Sequence, residues 1–182
     1  AILLSRGNYA EADQLVDGLK IPVLEPSLEA AGVFRSLGRW NVTQGHWRAA
    51  AARFGKLAQA NQVDKTDLTD AATRELLWAA APLVAAGDLN TFHQLVRQTQ
   101  VRFAGTTNPV AAEHVIKTCV VAPFDPPTVE ALKPLADIVE RSITDAPKNA
   151  REVYMTTWRV LALAEYEYSC GHYERALAWA EK

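Results

Sequence analysis

One short motif recurs along this chain and restricts its fold more than any other feature. It reads glycine, any residue, an aromatic or large apolar residue, two more residues, then alanine or another residue that packs. It occurs as GNYAEA from Gly7, GHWRAA from Gly45, GDLNTF from Gly87 and GHYERA from Gly171. The glycines are spaced 38, 42 and 84 residues apart, and 84 is twice 42, so one copy of the turn is disguised. The segment APFDPP, Ala122 to Pro127, falls where that copy is due. It breaks the chain with proline instead of glycine, and Pro126 or Pro127 is placed to open the next helix. A fixed period of this length is the mark of stacked supersecondary units.

The residues flanking each turn are apolar at spacings of three and four, the period of a helix with one buried face. Leu76, Leu77, Ala80, Leu83 and Val84 precede Gly87; Ala112, Val115, Ile116 and Cys119 precede the proline turn; Trp47, Ala50, Ala51, Phe54 and Leu57 follow Gly45. No stretch sustains a period of two, so no strand is expected. The pattern predicts helices near 9–20, 27–44, 47–61, 68–86, 89–103, 109–122, 127–143, 149–169 and from 172 to the end. Between two such helices a glycine can take the left-handed conformation that ends the first one sharply. Helix starts are marked by Asn108 before Pro109, by the caps on offer from Asp67 to Asp70, and by the break from Thr144 to Asn149. The units fall at about 1–26, 27–65, 66–107, 108–147 and 148–182.

Composition narrows the function classes. The chain has 182 residues, 49% apolar and 22% charged, and no apolar run approaches the roughly 18 to 20 residues of a membrane-spanning helix. Nineteen Lys and Arg against 21 Asp and Glu leave a net charge of -2, without the basic field that phosphate-backbone binding uses. Neither nucleic acid nor membrane insertion is expected. Cys119 and Cys170 form no C-x-x-C pair and no zinc-site cluster with histidine, so no disulfide framework or metal is expected to hold the fold. The chain begins at Ala1, and YERALAWAEK is still in helical rhythm at Lys182. Both ends are therefore expected to be cuts through a longer protein.

Catalysis needs titratable groups that converge, and none converge along this sequence. His46 and His172 share one slot, directly after a turn glycine, and are expected to be solvated. His93 and His114 have no partner four residues away, unlike a metalloprotease helix. Five residues separate His114 from Cys119, which on a helix turns them about 140° apart; Cys119 is expected to be a buried thiol and Cys170 to be partly exposed. Asn41-Val42-Thr43 matches a glycosylation acceptor but lies inside a predicted helix. Of the five tryptophans, Trp47 and Trp179 are expected to pack between hairpins.

The run Leu37, Gly38, Gly45, Trp47, Ala50, Phe54 and Leu57 resembles the tetratricopeptide repeat, with its Leu-Gly pair on the first helix and its Gly, aromatic, Ala and Phe from the turn onward. Leu163, Ala164, Gly171, Tyr173 and Ala176 resemble it too, while Gly7, Tyr9 and Ala12 retain less. The third unit, with Ala79, Ala80, Gly87, Leu89 and Phe92, departs further, the fourth lacks the turn glycine, and the period of about 42 exceeds the standard 34. From about Arg35 onward, segments such as GRWNVTQGHWRAAAARF and LALAEYEYSCGHYERALAWA are similar to the C-terminal helical-repeat region of eukaryotic-like serine/threonine protein kinases of certain bacteria. No G-x-G-x-x-G, H-R-D or D-F-G occurs in the 182 residues, so any kinase chemistry would belong to another part of such a protein.

The resemblance implies an all-α fold: a right-handed α-solenoid of about five helical hairpins with peptide-binding first-helix positions on its concave surface. Carried over from Gly171, those positions are Trp158, Leu161, Glu165 and Tyr168; from Gly45 they are Arg35 and Arg39; from Gly87 they are Arg74 and Leu77. Three arginines on one inner surface would suit an acidic segment or a peptide carboxylate, although the Asn and Lys of the carboxylate-binding members are not matched. In the fourth unit neither His114 nor Lys117 can be assigned a face. The expected function is a noncatalytic protein-interaction, scaffold or sensor module that needs no cofactor, in the cytoplasm or on the outer side of a membrane-anchored kinase. Two rivals remain: a small enzyme using Cys119 or a histidine between hairpins, and weak self-association through exposed end hairpins.

Overall fold

A computed structural model describes residues 1–19, 27–60, 70–143 and 148–182. Among them every regular element is helical and none is a strand: α1 Ile2–Ser5, α2 Tyr9–Gly18, α3 Leu28–Thr43, α4 Trp47–Ala60, α5 Asp70–Ala85, α6 Leu89–Phe103, α7 Pro109–Val120, α8 Pro126–Glu130, α9 Lys133–Arg141, α10 Ala150–Ser169 and α11 Tyr173–Ala180. No described helix is long and apolar enough to cross a membrane.

The four motif glycines, Gly7, Gly45, Gly87 and Gly171, are the only described residues with positive φ, between 71° and 80°. Each turn closes with the same two hydrogen bonds. At the second, Gly45 N–H donates to the Val42 carbonyl (3.0 Å) and His46 N–H to the Asn41 carbonyl (2.9 Å), which satisfies the last carbonyls of α3 in a Schellman motif. Trp47 N–H then donates back to the Gly45 carbonyl at 3.0 Å, so the chain enters α4 through a three-residue turn. An L-residue held left-handed there would cost about 1–2 kcal/mol.

The fourth turn is made differently. Asp125 caps α8, its carboxylate accepting from Thr128 N–H at 3.0 Å, and Pro126 opens the helix. The single helix expected over 127–143 is in fact two, α8 and α9, parted at Ala131 and Leu132. Pro134 is the reason: it has no N–H for the Glu130 carbonyl, and its ring crowds that carbonyl. The extra N-terminal turn α1, which the periodicity did not reveal, supplies the carbonyls that Gly7 and Asn8 cap. The cap residues 67–69 and the break at 144–147 lie outside the described residues. Asn149 does cap α10, accepting from Glu152 N–H at 3.0 Å.

Helices pack mainly on helices close to them along the chain: α3 on α4, α4 on α5, α5 on α6 and α7, α7 on α9 and α10, α10 on α11. The core they share includes Phe34, Phe54, Leu57, Leu83, Phe92, Val96, Phe103, Val115, Ile116, Leu132, Val139 and Leu163. Gly38 lets α3 and α4 approach closely, since a Cβ there would lie 2.9 Å from the Phe54 ring. Two polar links join successive hairpins. Arg53 on α4, only 5% exposed, donates from Nε to Asp13 Oδ1 (2.7 Å) and from Nη2 to Asp17 Oδ1 (2.6 Å), and Asn41 Nδ2 donates to the same Asp13 oxygen at 3.1 Å. Farther along, Arg35 on α3 pairs with Glu75 on α5.

Candidate functional site

The site follows from how α7 and α10 divide their faces. Asn108 Oδ1 accepts from Val110 N–H at 2.9 Å and Pro109 begins α7, which buries Ala111, Ala112, Val115, Ile116 and Cys119. The twenty-residue α10 buries Val160, Ala162, Leu163 and Tyr166. On α10 the residues Trp158, Leu161, Glu165 and Tyr168 recur at steps of three and four, so they form one stripe along the helix. That stripe faces outward, and with Leu77 of α5, Lys117 and Val120 of α7, Val121 just past its end, and Tyr173 and Leu177 of α11 it lines an open groove of about 880 Å³.

Five of the eight residues expected on a binding surface thus share one groove: Leu77, Trp158, Leu161, Glu165 and Tyr168. The three arginines do not line it. Arg35 is held by Glu75, and the guanidiniums of Arg39 and Arg74 lie 5.0 Å and 5.6 Å from the centre of the Trp78 ring. Arg35 and Arg39 thus join α3 to α5 through contacts about forty residues apart in the chain, which spacing alone could not signal, while Arg74 meets Trp78 one turn along its own helix.

Lys117, whose face was unassigned, lies in the groove wall. Its ammonium pairs with Glu113 on the same helix and sits 4.4 Å from the Trp158 ring centre, while the residue is only 8% exposed. The i,i+4 pairing of Glu113 with Lys117 was the available signal. Tyr173 and Leu177 were missed because on an amphipathic helix they read as core. Burial pushes the Glu165 carboxyl above its ordinary value; the nearby Lys117 works against that shift and the Glu113 charge adds to it.

The other titratable groups are engaged elsewhere. His46 and His172 are exposed at their turns, as expected, with His172 Nδ1 2.8 Å from Glu167 Oε2. His114 points to α5, its Nδ1 3.0 Å from Thr73 Oγ1, and the His93 ring packs 4.8 Å from that of Phe124. Cys119 is buried and its thiol is pushed up to about 12 by that burial, so almost none is thiolate at neutral pH. Cys170 is half-buried. Asn41 is fully buried against Asp13. Trp179 packs against the core, whereas Trp47, at the first position of α4, is 42% exposed. No group of three or more His, Cys, Asp or Glu among the described residues is arranged to hold a metal ion.

Comparison of the chain with protein-family models, with curated proteins and with solved structures finds no match. The groove must therefore be read from its own chemistry. Its walls are aliphatic and aromatic, its opening is wide, and among the described residues its charged side chains are Lys117 and Glu165. Such a surface can hold a protein segment by burying apolar side chains and has little with which to transform it.

Proposed function

We propose that this chain is a noncatalytic protein-interaction module, an open right-handed array of tetratricopeptide-like hairpins that holds a peptide or protein segment in the groove of α5, α7, α10 and α11. The observation that carries the reading is the meeting of Leu77, Trp158, Leu161, Glu165 and Tyr168 around one groove. Repeated turns, and packing mainly between helices close along the chain, support the open array. The buried, protonated Cys119 and the hydrogen-bonded His114 weigh against catalysis. The resemblance of segments such as LALAEYEYSCGHYERALAWA to kinase-associated repeats supports reading the module as a scaffold or sensing region of a bacterial kinase-like protein.

The test selects twelve-residue peptides on the chain from a random display library. Bound peptides should slow amide exchange in α7, α10 and α11. Trp158→Ala removes a half-exposed anchor at the centre of the surface and should weaken them about tenfold or more. Peptides unaffected by Trp158→Ala, or no selected peptide at all, would end the reading.

One rival has an observation of its own. Apolar residues are exposed in the first and last hairpins, Ile2 and Leu15 on α1 and α2, Leu19 just past α2, and Tyr173 and Leu177 on α11, and they favour association of copies end to end. Light scattering over a concentration series should then show mass rising with concentration, and a constant monomer mass overturns it.

A further inference from the structure

The groove's two charges are not equivalent. Lys117 is nearly enclosed, paired with Glu113 and stacked on Trp158, so its charge is already matched. The Glu165 carboxylate accepts no hydrogen bond and enters no ion pair among the described residues, and it feels the charges of Lys117 and of a Glu113 that is 2% exposed. The groove therefore holds one ammonium already matched by Glu113 and one carboxylate without a partner. Any segment that covers the groove strips water from Glu165, which is costly unless the segment brings a partner for it. A neutral apolar side chain brings none, and an acidic one adds repulsion.

The surroundings suit a cation. On α10, Leu161 lies one turn before Glu165, and Tyr168 lies about 4.5 Å beyond it along the axis. The Tyr168 ring meets that of Tyr173 edge to face, centroids 5.4 Å apart. Aromatic faces attract an ammonium or guanidinium, and the methylene stem of Lys or Arg packs on apolar walls while its head reaches a carboxylate. We propose that the groove recognises an apolar segment bearing a basic side chain, with Glu165 as the residue that selects the charge. This rests on the docking reading above and gives its ligand a sign opposite to the one the three arginines suggested.

The test repeats the library selection on the unaltered chain, on Glu165→Gln and on Glu165→Lys, with thermal unfolding to show that each variant is folded. Peptides from the unaltered chain should carry Lys or Arg at a fixed distance from their apolar residues and lose about tenfold in affinity on Glu165→Gln, the size expected for a lost charge-assisted hydrogen bond. On Glu165→Lys the same position should turn to Asp or Glu. Peptides that need Trp158 but show no basic preference, or that bind Glu165→Gln equally well, overturn the charge assignment and leave the docking reading standing. If nothing is selected, or Trp158→Ala changes nothing, both fall together. Should Glu165→Lys fail to fold, the Glu165→Gln comparison decides alone.

Discussion

Arg53→Ala is expected to destabilise the protein by about 3–5 kcal/mol, the range for removing one partner of a buried ion pair. Burial works against the Arg53 charge, yet hydrogen bonds and attraction from Asp13 and Asp17 outweigh it and raise its pKa. Remove the guanidinium and Asp13, 8% exposed, keeps, among the described residues, only Asn41 as a side-chain donor. Its carboxylate would then be buried without a cation, between the first hairpin and the second. Asp17 sits at the other side of the same guanidinium, but its side chain is 67% exposed, so Asp17→Ala should cost only about 0–1 kcal/mol. Urea unfolding of the two variants gives the comparison. If the two losses are equal, the buried half of the network is not where the stability lies. The double variant Arg53→Met with Asp13→Leu should recover most of the loss, since two apolar groups leave no charge stranded.

Phe54→Ala should cost about 3–5 kcal/mol, as for other fully buried aromatic side chains, and its partner residue makes the result specific. A methyl group at Gly38 would lie 2.9 Å from Phe54 ring carbons, so Gly38→Ala should itself cost about 1–3 kcal/mol through overpacking. In the Phe54→Ala background the new methyl enters the space the ring vacated, and the second loss should vanish or become a gain. A double-mutant cycle from denaturant midpoints reads this coupling directly. Strict additivity would mean that α3 and α4 do not meet through this contact.

Much of the fold was legible in the residues, because a helix records its buried face every three or four positions and a left-handed turn records itself as glycine. Gly7, Gly45, Gly87 and Gly171 named their own turns, and Asn108 with Pro109 named the start of α7. Features set by one residue acting on another four positions away were harder: Pro134 splits α8 from α9 through the Glu130 carbonyl. The candidate site divided the same way. Trp158, Leu161, Glu165 and Tyr168 were grouped by the register that the repeat resemblance implies when counted from Gly171, and they form one stripe of one helix along the groove. Arg35, Arg39 and Arg74 were grouped by position as well, but long side chains go where their partners are, and Glu75 and Trp78 drew them aside. Lys117 had no register because the fourth unit lacks the glycine from which to count.

The four turn glycines have open space where a side-chain carbon would sit, with nothing within 4 Å. The obstacle to a larger residue there is handedness, not crowding. An amino acid of mirror-image configuration relaxes into that backbone region of its own accord and narrows the range of shapes open to the unfolded chain. Chemical synthesis could therefore harden this protein at four separate corners, all of them outside the residues that line the groove.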